Sequence, residues 1–133
     1  MSFLFALTFL TRIPVPIQLK YNEELAAKSM GYYPLVGMII GIILVLLDKI
    51  LSFVFPLNIV NVMLLLVLVY LSGGLHLDGF MDTMDGIFSG RNREKIMDIM
   101  HDSRVGSFGV IAFFLLFLLK FNSLTLQRNE EFY

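Results

Sequence analysis

Long apolar runs separated by short polar stretches dominate the chain, and they predict helices that cross a membrane. Residues 31–55 and 57–75 each contain an apolar run close to the roughly 20 residues that a helix needs to span a bilayer. Residues 106–121 form a shorter run, which would cross if its helix is tilted. The pattern therefore predicts an all-α fold, a polytopic transmembrane helical bundle with three spans.

The segments outside these runs are predicted to lie at or beyond the membrane surface. Residues 1–19 begin with an apolar stretch that Pro14 and Pro16 interrupt, so they are predicted to form an interfacial or re-entrant segment. Residues 76–105 are charged and rich in glycine, and they predict an acidic helical loop, cytoplasmic or interfacial. Residues 122–133 read as a polar tail. The whole chain is predicted to be one membrane domain.

Composition agrees with a membrane protein whose partner is the lipid bilayer. Hydrophobic residues make up 57% of the 133 residues, and the mean hydropathy is +0.79. The chain has no cysteine, which excludes disulfides and thiolate metal sites. The net charge of −1 shows no excess of positive charge, so no nucleic-acid partner is expected.

The distribution of basic residues predicts the orientation. Eight of the 10 Lys and Arg residues flank the two long spans: Arg12, Lys20 and Lys28 before the first span, Lys49 between the spans, and Arg91, Arg93, Lys95 and Arg104 after the second. Cytoplasmic loops of membrane proteins carry an excess of Lys and Arg. The N-terminus and the acidic loop are therefore both predicted to be cytoplasmic.

Five aspartates in the acidic loop have helical spacing. Asp78, Asp82 and Asp85 stand at i, i+4 and i+7, which places them within an arc of roughly 60° on one helix face. Like charges at this spacing repel, and a divalent cation held by oxygen ligands would offset the repulsion. Asp98 and Asp102 repeat the i, i+4 spacing, so two acidic helix faces are expected to meet. The alternative is an ordinary solvated face of a loop.

Basic residues and a histidine in the same loop are candidates for substrate contacts. Arg91 and Arg104 could bind phosphate oxygens, for which arginine is a good bidentate partner. The alternative for Arg91 is that it only helps to set the orientation of the chain in the membrane. His76 could contact a substrate, or it could be structural.

Two blocks, GGLHLDGFMDTMDG and IMHDSRVGSFG, preceded by FLTRIPVP and YYPLVG, resemble the cobalamin synthase family, adenosylcobinamide-GDP ribazoletransferase. The resemblance runs from about Phe3 to Leu119. It implies an enzyme of the bacterial or archaeal plasma membrane that joins adenosylcobinamide-GDP to α-ribazole, or to its 5′-phosphate, and releases GMP. It also implies Mg²⁺ as cofactor and a place at the last step of vitamin B12 assembly.

The acidic positions also partly resemble the pattern of the CDP-alcohol phosphotransferases, D-x-x-D-G followed by G-x-x-x-D-x-x-x-D. An Ala-Arg that this family carries and the glycine that begins the second part of its pattern are absent here. That resemblance implies that Asp82, Asp85 and Asp98 are metal ligands and that Asp102 is the general base. Arg104 is predicted to be catalytic beside Asp102. The predicted substrate or phosphate contacts are His76, Asp78 and Arg91, with an extra ligand as the alternative for Asp78.

Two rival functions remain open at this point. One is a phospholipid enzyme of the CDP-alcohol type, and the other is a cation transporter whose aspartates bind ions in transit. The chain also ends in SLTLQRNEEFY, which does not resemble the family. We therefore expect a chain truncated at the C-terminus and impaired as a monomer, for which homo-oligomerisation would supply the missing walls.

Overall fold

The computed structural model describes residues 1–16 and 20–130, and every regular element in that part of the chain is helical. The predicted all-α fold is thus confirmed. A 3₁₀ turn at Met30–Tyr32 joins the second helix to the third. The helices are α1 (Ser2–Leu10), α2 (Glu23–Ser29), α3 (Tyr33–Leu51), α4 (Leu57–Leu71), α5 (Leu75–Phe88), α6 (Arg93–Met100) and α7 (Ser107–Glu130).

Two of the described segments have the length and composition of membrane spans. They are Glu23–Leu51 and Ser107–Leu126, and only 6% of the most apolar window of each is buried within the protein. Large apolar side chains left uncovered on a helix suit a lipid environment, because lipid is as apolar as they are. α4 and α5 qualify as a third span only when they are taken together.

The second predicted span, 57–75, is longer than the helix that the structure forms there. α4 ends at Leu71, and α5 begins at Leu75. Gly73 and Gly74 between them have φ angles of +67° and +75°. Two successive left-handed residues cannot continue a right-handed helix, and glycine adopts this conformation at little cost.

The other predicted segments differ less from the helices. The first predicted segment contains α1, which has nine residues and ends before Pro14, while residues 17–19 lie outside the described part of the chain. The predicted acidic loop, 76–105, contains most of α5 and all of α6. The third predicted span lies within α7, which continues to Glu130 into the predicted polar tail.

The chain divides into two compact units, Met1–Gly73 and Gly74–Tyr133. In the first unit, Ala6, Leu10 and Val36 form a small apolar core between α1 and α3. The backbone N–H of Arg12 donates to the carbonyl of Leu71 at 2.8 Å, which ties the segment after α1 to the end of α4. All predicted site residues lie in the second unit.

The second unit is built around α5, which packs against both α6 and α7. The rings of Phe88 and Phe108 stack with their centroids 5.7 Å apart, so the end of α5 lies beside the start of α7. Gly86 allows α6 to approach closely, since a Cβ there would lie 2.9 Å from Met100 Cγ and 3.1 Å from Ile96 Cγ2. These contacts bring the acidic helix next to the segment that carries Asp102 and Arg104.

Candidate active site

The first three predicted aspartates share α5, as their spacing requires, but their environments differ along the helix. Asp78 is exposed, Asp82 is half-buried and Asp85 is buried, with 8% of its surface accessible. Their side chains repeat at helical spacing, so the acidic face runs from the solvent into the second unit.

Asp85 binds the start of α7 with both carboxylate oxygens. The backbone N–H of Gly106 donates to Oδ2 at 2.8 Å, and the backbone N–H of Gly109 donates to Oδ1 at 2.8 Å. The first N–H groups of a helix have no partner within the helix, and its N-terminus carries a partial positive charge. A carboxylate at this position is therefore both hydrogen-bonded and electrostatically favoured.

The two glycines that receive Asp85 leave no space for a side chain. A Cβ at Gly106 would overlap the Asp85 carboxylate, and one at Gly109 would lie 2.5 Å from Asp85 Oδ2 and 3.1 Å from the carbonyl oxygen of Met81. Neither glycine is among the predicted site residues. The sequence alone gives no signal for them, because Ser107, which lies between them at the start of the apolar run, is itself an ordinary N-cap residue.

Asp102 and Arg104 form an exposed pair in the loop between α6 and α7. Arg104 Nη2 donates to Asp102 Oδ2 at 2.7 Å, and Nε donates at 3.1 Å to each carboxylate oxygen. The backbone N–H of Arg104 also donates to Asp102 Oδ1 at 3.1 Å, which closes a tight turn. The structure thus brings together the two residues predicted to be catalytic.

The pairing changes the acid–base properties of both groups. Hydrogen bonds from the Arg104 side chain and then from its backbone N–H hold the pKa of Asp102 below its ordinary value. The same side-chain hydrogen bonds, together with the negative charge of Asp102, raise the pKa of Arg104. Asp102 therefore stays ionised to lower pH than a free carboxyl group, and it is a weaker base while Arg104 is bound.

Asp98 does not join the acidic face of α5, which corrects the expectation that the two acidic faces meet. Ile96 and Met100 are the α6 residues that lie against Gly86. Asp98 is two residues from each, about 200° around the helix, so apolar packing of α6 turns it away. Its carboxylate lies 3.9 Å from Lys95 Nζ, and 74% of its side chain is exposed.

The predicted ligand set of Asp82, Asp85 and Asp98 is therefore not assembled here. Among the side chains that the structure describes, those of residues 1–16 and 20–126, no group of three or more from His, Asp and Glu is placed to hold a metal ion. The two oxygens of Asp85 already accept amide hydrogens. The arrangement does not fit a metal site built on these three carboxylates, and their role as ligands stays a prediction.

The predicted substrate contacts lie at opposite ends of α5. His76 is exposed in the first turn, and Arg91 is exposed in the turn after the last residue, where its backbone N–H donates to Ser89 Oγ at 3.3 Å. Phe88 lies 12 positions after His76, which corresponds to about 18 Å along a helix. The structure does not bring His76 and Arg91 together, and their contacts with a substrate stay a prediction.

Comparison with known proteins decides the family. A profile described as cobalamin-5-phosphate synthase, CobS, matches residues 2–130, which include every predicted site residue. The chain belongs to the cobalamin-5-phosphate synthase family. The predicted family is confirmed.

Curated relatives of this synthase family agree with the profile. The chain is similar to adenosylcobinamide-GDP ribazoletransferases from Shewanella amazonensis, at 45% identity over 92% of this chain, and from Fusobacterium nucleatum, at 46% identity over 97%. It covers 47% and 50% of those two proteins, so it spans about half the length of the curated relatives it matches. No solved structure is similar enough to count as a match.

Proposed function

We propose that this member of the synthase family takes part in the last step of cobalamin assembly, the transfer that joins adenosylcobinamide-GDP to α-ribazole or its 5′-phosphate and releases GMP. The activity for which the curated relatives are named supports the proposal. The observation that carries it is the exposed Asp102–Arg104 pair, within the block that resembles the family. A carboxylate and a guanidinium side by side are the groups that such a transfer needs.

The proposed reaction is a displacement at phosphorus. A hydroxyl oxygen of the ribazole attacks the phosphorus that carries the cobinamide, the bond from that phosphorus to the oxygen of GMP breaks, and the proton of the hydroxyl passes to a base. Arg104 would bind phosphate oxygens, for which its exposed side chain is accessible. Asp102 would accept the proton.

The Asp102–Arg104 pair links these two roles. While Arg104 is bound to Asp102, the pKa of Asp102 is low and the carboxylate is a weak base. Phosphate oxygens of the substrate compete for the same guanidinium donors. When they take those donors, the pKa of Asp102 rises, so substrate binding itself would turn the carboxylate into a better base.

We include Mg²⁺ in the proposal only because the available donor atoms are of the kind that bind it. Asp78 and Asp82 offer carboxylate oxygens, the ligands that Mg²⁺ prefers, on the more accessible part of the acidic face. When bound, Mg²⁺ would neutralise charge on the diphosphate oxygens. The described residues give the ion no complete ligand set, so no step of the reaction is assigned to it.

The membrane setting is proposed from the apolar segments and the basic residues. We propose a multi-pass protein of the plasma membrane whose N-terminus and acidic helices face the cytoplasm. Segments Glu23–Leu51 and Ser107–Leu126 support membrane insertion, and the excess of Lys and Arg before the first span and after α5 supports the orientation. Assembly of several copies remains part of the proposal.

The direct test is GMP release. The chain is expressed alone and together with the C-terminal half of a full-length relative, and GMP is measured with adenosylcobinamide-GDP and α-ribazole or its 5′-phosphate, with and without Mg²⁺. We expect Mg²⁺-dependent GMP release, either from the chain alone or from the chain combined with the C-terminal half of the relative. Absence of GMP in every combination contradicts the proposal, and CMP release from CDP-diacylglycerol instead would favour the phospholipid enzyme.

Replacing Arg104 by glutamine should change the pH dependence of the reaction. Without the guanidinium, the pKa of Asp102 rises toward its ordinary value, because the side-chain hydrogen bonds, the largest cause of its lowering, are lost. If the reaction needs ionised Asp102, the acid limb of the kcat/KM profile moves to higher pH. Arg93→Gln, which removes an exposed arginine in the first turn of α6, is the matched control and should leave the limb in place. An unmoved limb in both variants would show that Asp102 is not the titrating base.

A further inference from the structure

We propose that Asp85 is a positioning residue, one that caps α7 and thereby fixes the loop carrying Asp102 and Arg104, and that it is not a metal ligand. The capping part of this inference stands on the hydrogen bonds alone. Its consequence for catalysis rests on the proposed function.

The hydrogen bonds of Asp85 replace a complete capping arrangement. Val110 N–H donates to the carbonyl of Gly106 at 3.3 Å, so Gly106 is the N-cap of α7 and Gly109 is its third residue. In a capping box, the side chains at these two positions satisfy each other's backbone N–H groups. Here both positions are glycine and offer no side chain. The single carboxylate of Asp85, from another helix, accepts from both N–H groups.

The cap controls the position of the proposed catalytic pair. Only Val105 separates Arg104 from Gly106, and consecutive Cα atoms are about 3.8 Å apart. The turn between Asp102 and Arg104 is itself closed by the backbone hydrogen bond of Arg104. Fixing Gly106 therefore fixes the far end of a short, already folded loop. Loss of the cap would let the loop and its pair move relative to the acidic helix.

The burial of Asp85 and the hydrogen bonds to both of its carboxylate oxygens argue against a metal ion there. Only 8% of the residue is accessible, and each of its oxygens accepts one amide hydrogen. An ion that displaced these bonds would leave two N–H groups at the start of α7 without a partner. Asp82, one turn earlier on the same face, is half-buried and more open to an ion.

Glycine amide signals test the cap without any need for activity. The measurement is NMR of the amide groups in detergent micelles. Labelling with ¹⁵N-glycine and carbonyl-¹³C-phenylalanine selects the amide signal of Gly109, because Phe108–Gly109 is the one Phe-Gly pair in the sequence. Carbonyl-¹³C-valine selects Gly37 and Gly106, the two glycines that follow a valine. We expect Gly106 and Gly109 to resonate downfield and exchange slowly in the unmodified chain. Fast exchange of both would overturn the proposal even if every variant failed to fold.

The variants Asp85→Asn and Asp82→Asn separate a cap from a ligand. Asparagine has one acceptor oxygen where aspartate has two, so Asp85→Asn should move the Gly106 and Gly109 signals upfield and speed their exchange. It should leave Mn²⁺ affinity, measured by electron paramagnetic resonance, unchanged within about twofold. Asp82→Asn, as the matched control, should leave both glycine signals in place and weaken Mn²⁺ binding by about tenfold or more. Weakened Mn²⁺ binding in Asp85→Asn with unmoved glycine signals would make Asp85 a ligand.

The kinetics of GMP release test the positioning role separately from the cap. In the combination that releases GMP, Asp85→Asn should lower kcat by about 10²-fold while KM stays within about twofold, because the pair is misplaced and not removed. Unchanged kcat together with moved glycine signals would contradict the positioning role and support only the capping role of Asp85. If no combination releases GMP, the proposed function fails, and the glycine signals still decide the cap.

Discussion

Replacing Asp102 by asparagine should slow GMP release by about 10²-fold or more, the size expected when a general base is lost. Asparagine keeps the shape of the side chain but cannot accept the proton, and its NH₂ group cannot receive hydrogen bonds from Arg104. The proton-accepting role would be lost, whereas Arg104 would keep the guanidinium that binds phosphate oxygens. The measurement is single-turnover GMP release, with Mn²⁺ affinity determined on the same preparation.

The comparison with Ser103→Ala makes this result specific. Ser103 lies between the paired residues and is exposed, so its replacement tests whether any change in the loop is harmful. We expect Ser103→Ala to retain turnover within about twofold, as surface substitutions usually do. A parallel loss of rate and Mn²⁺ affinity in Asp102→Asn would instead make Asp102 a metal ligand. A normal rate would remove it from the mechanism.

Replacing Gly109 by alanine should lower the free energy of unfolding by about 2–5 kcal/mol. The new Cβ would stand 2.5 Å from Asp85 Oδ2, so the carboxylate has to move and both of its hydrogen bonds are disturbed. Hydrogen bonds to a charged group contribute about 1.5–3 kcal/mol each, and alanine returns about 1 kcal/mol through its higher helix propensity. Denaturant unfolding in detergent, followed by circular dichroism, gives the difference.

Gly79→Ala is the matched control, and its expected effect has the opposite sign. Gly79 also lies in a helix, α5, but nothing stands within 4 Å of a Cβ built there. Alanine at an open helical position should stabilise the chain by up to about 1 kcal/mol. Equal effects of the two substitutions would show that Gly109 does not have to accommodate Asp85.

Local spacing was enough to predict the acidic face. Asp78, Asp82 and Asp85 do share one helix, because their spacing and the apolar residues between them are both helical features of the sequence. The Asp102–Arg104 pair could be predicted for a similar reason, since the two residues are two positions apart. Local signals suffice where the interaction itself is local.

The role of Asp85 could not be predicted in the same way. Its hydrogen bonds reach residues 21 and 24 positions later, and no spacing rule reports which helix start will lie beside a buried carboxylate. The direction of Asp98 was missed because it depends on which face of the short helix α6 packs against Gly86. The early end of α4 was signalled by Gly73-Gly74, but the hydropathy of the run to Leu75 concealed it.

The distance in sequence between Asp85 and its two glycines has a consequence for how the protein is made. At about 5–20 residues per second, roughly 1–5 s pass at the ribosome between the addition of Asp85 and the addition of Gly109. During that interval, α5 can form, but its buried carboxylate has no amide partners. The hydrogen bonds that accompany the burial of Asp85 therefore form only after the start of α7 has been synthesised, and the site can close only after that.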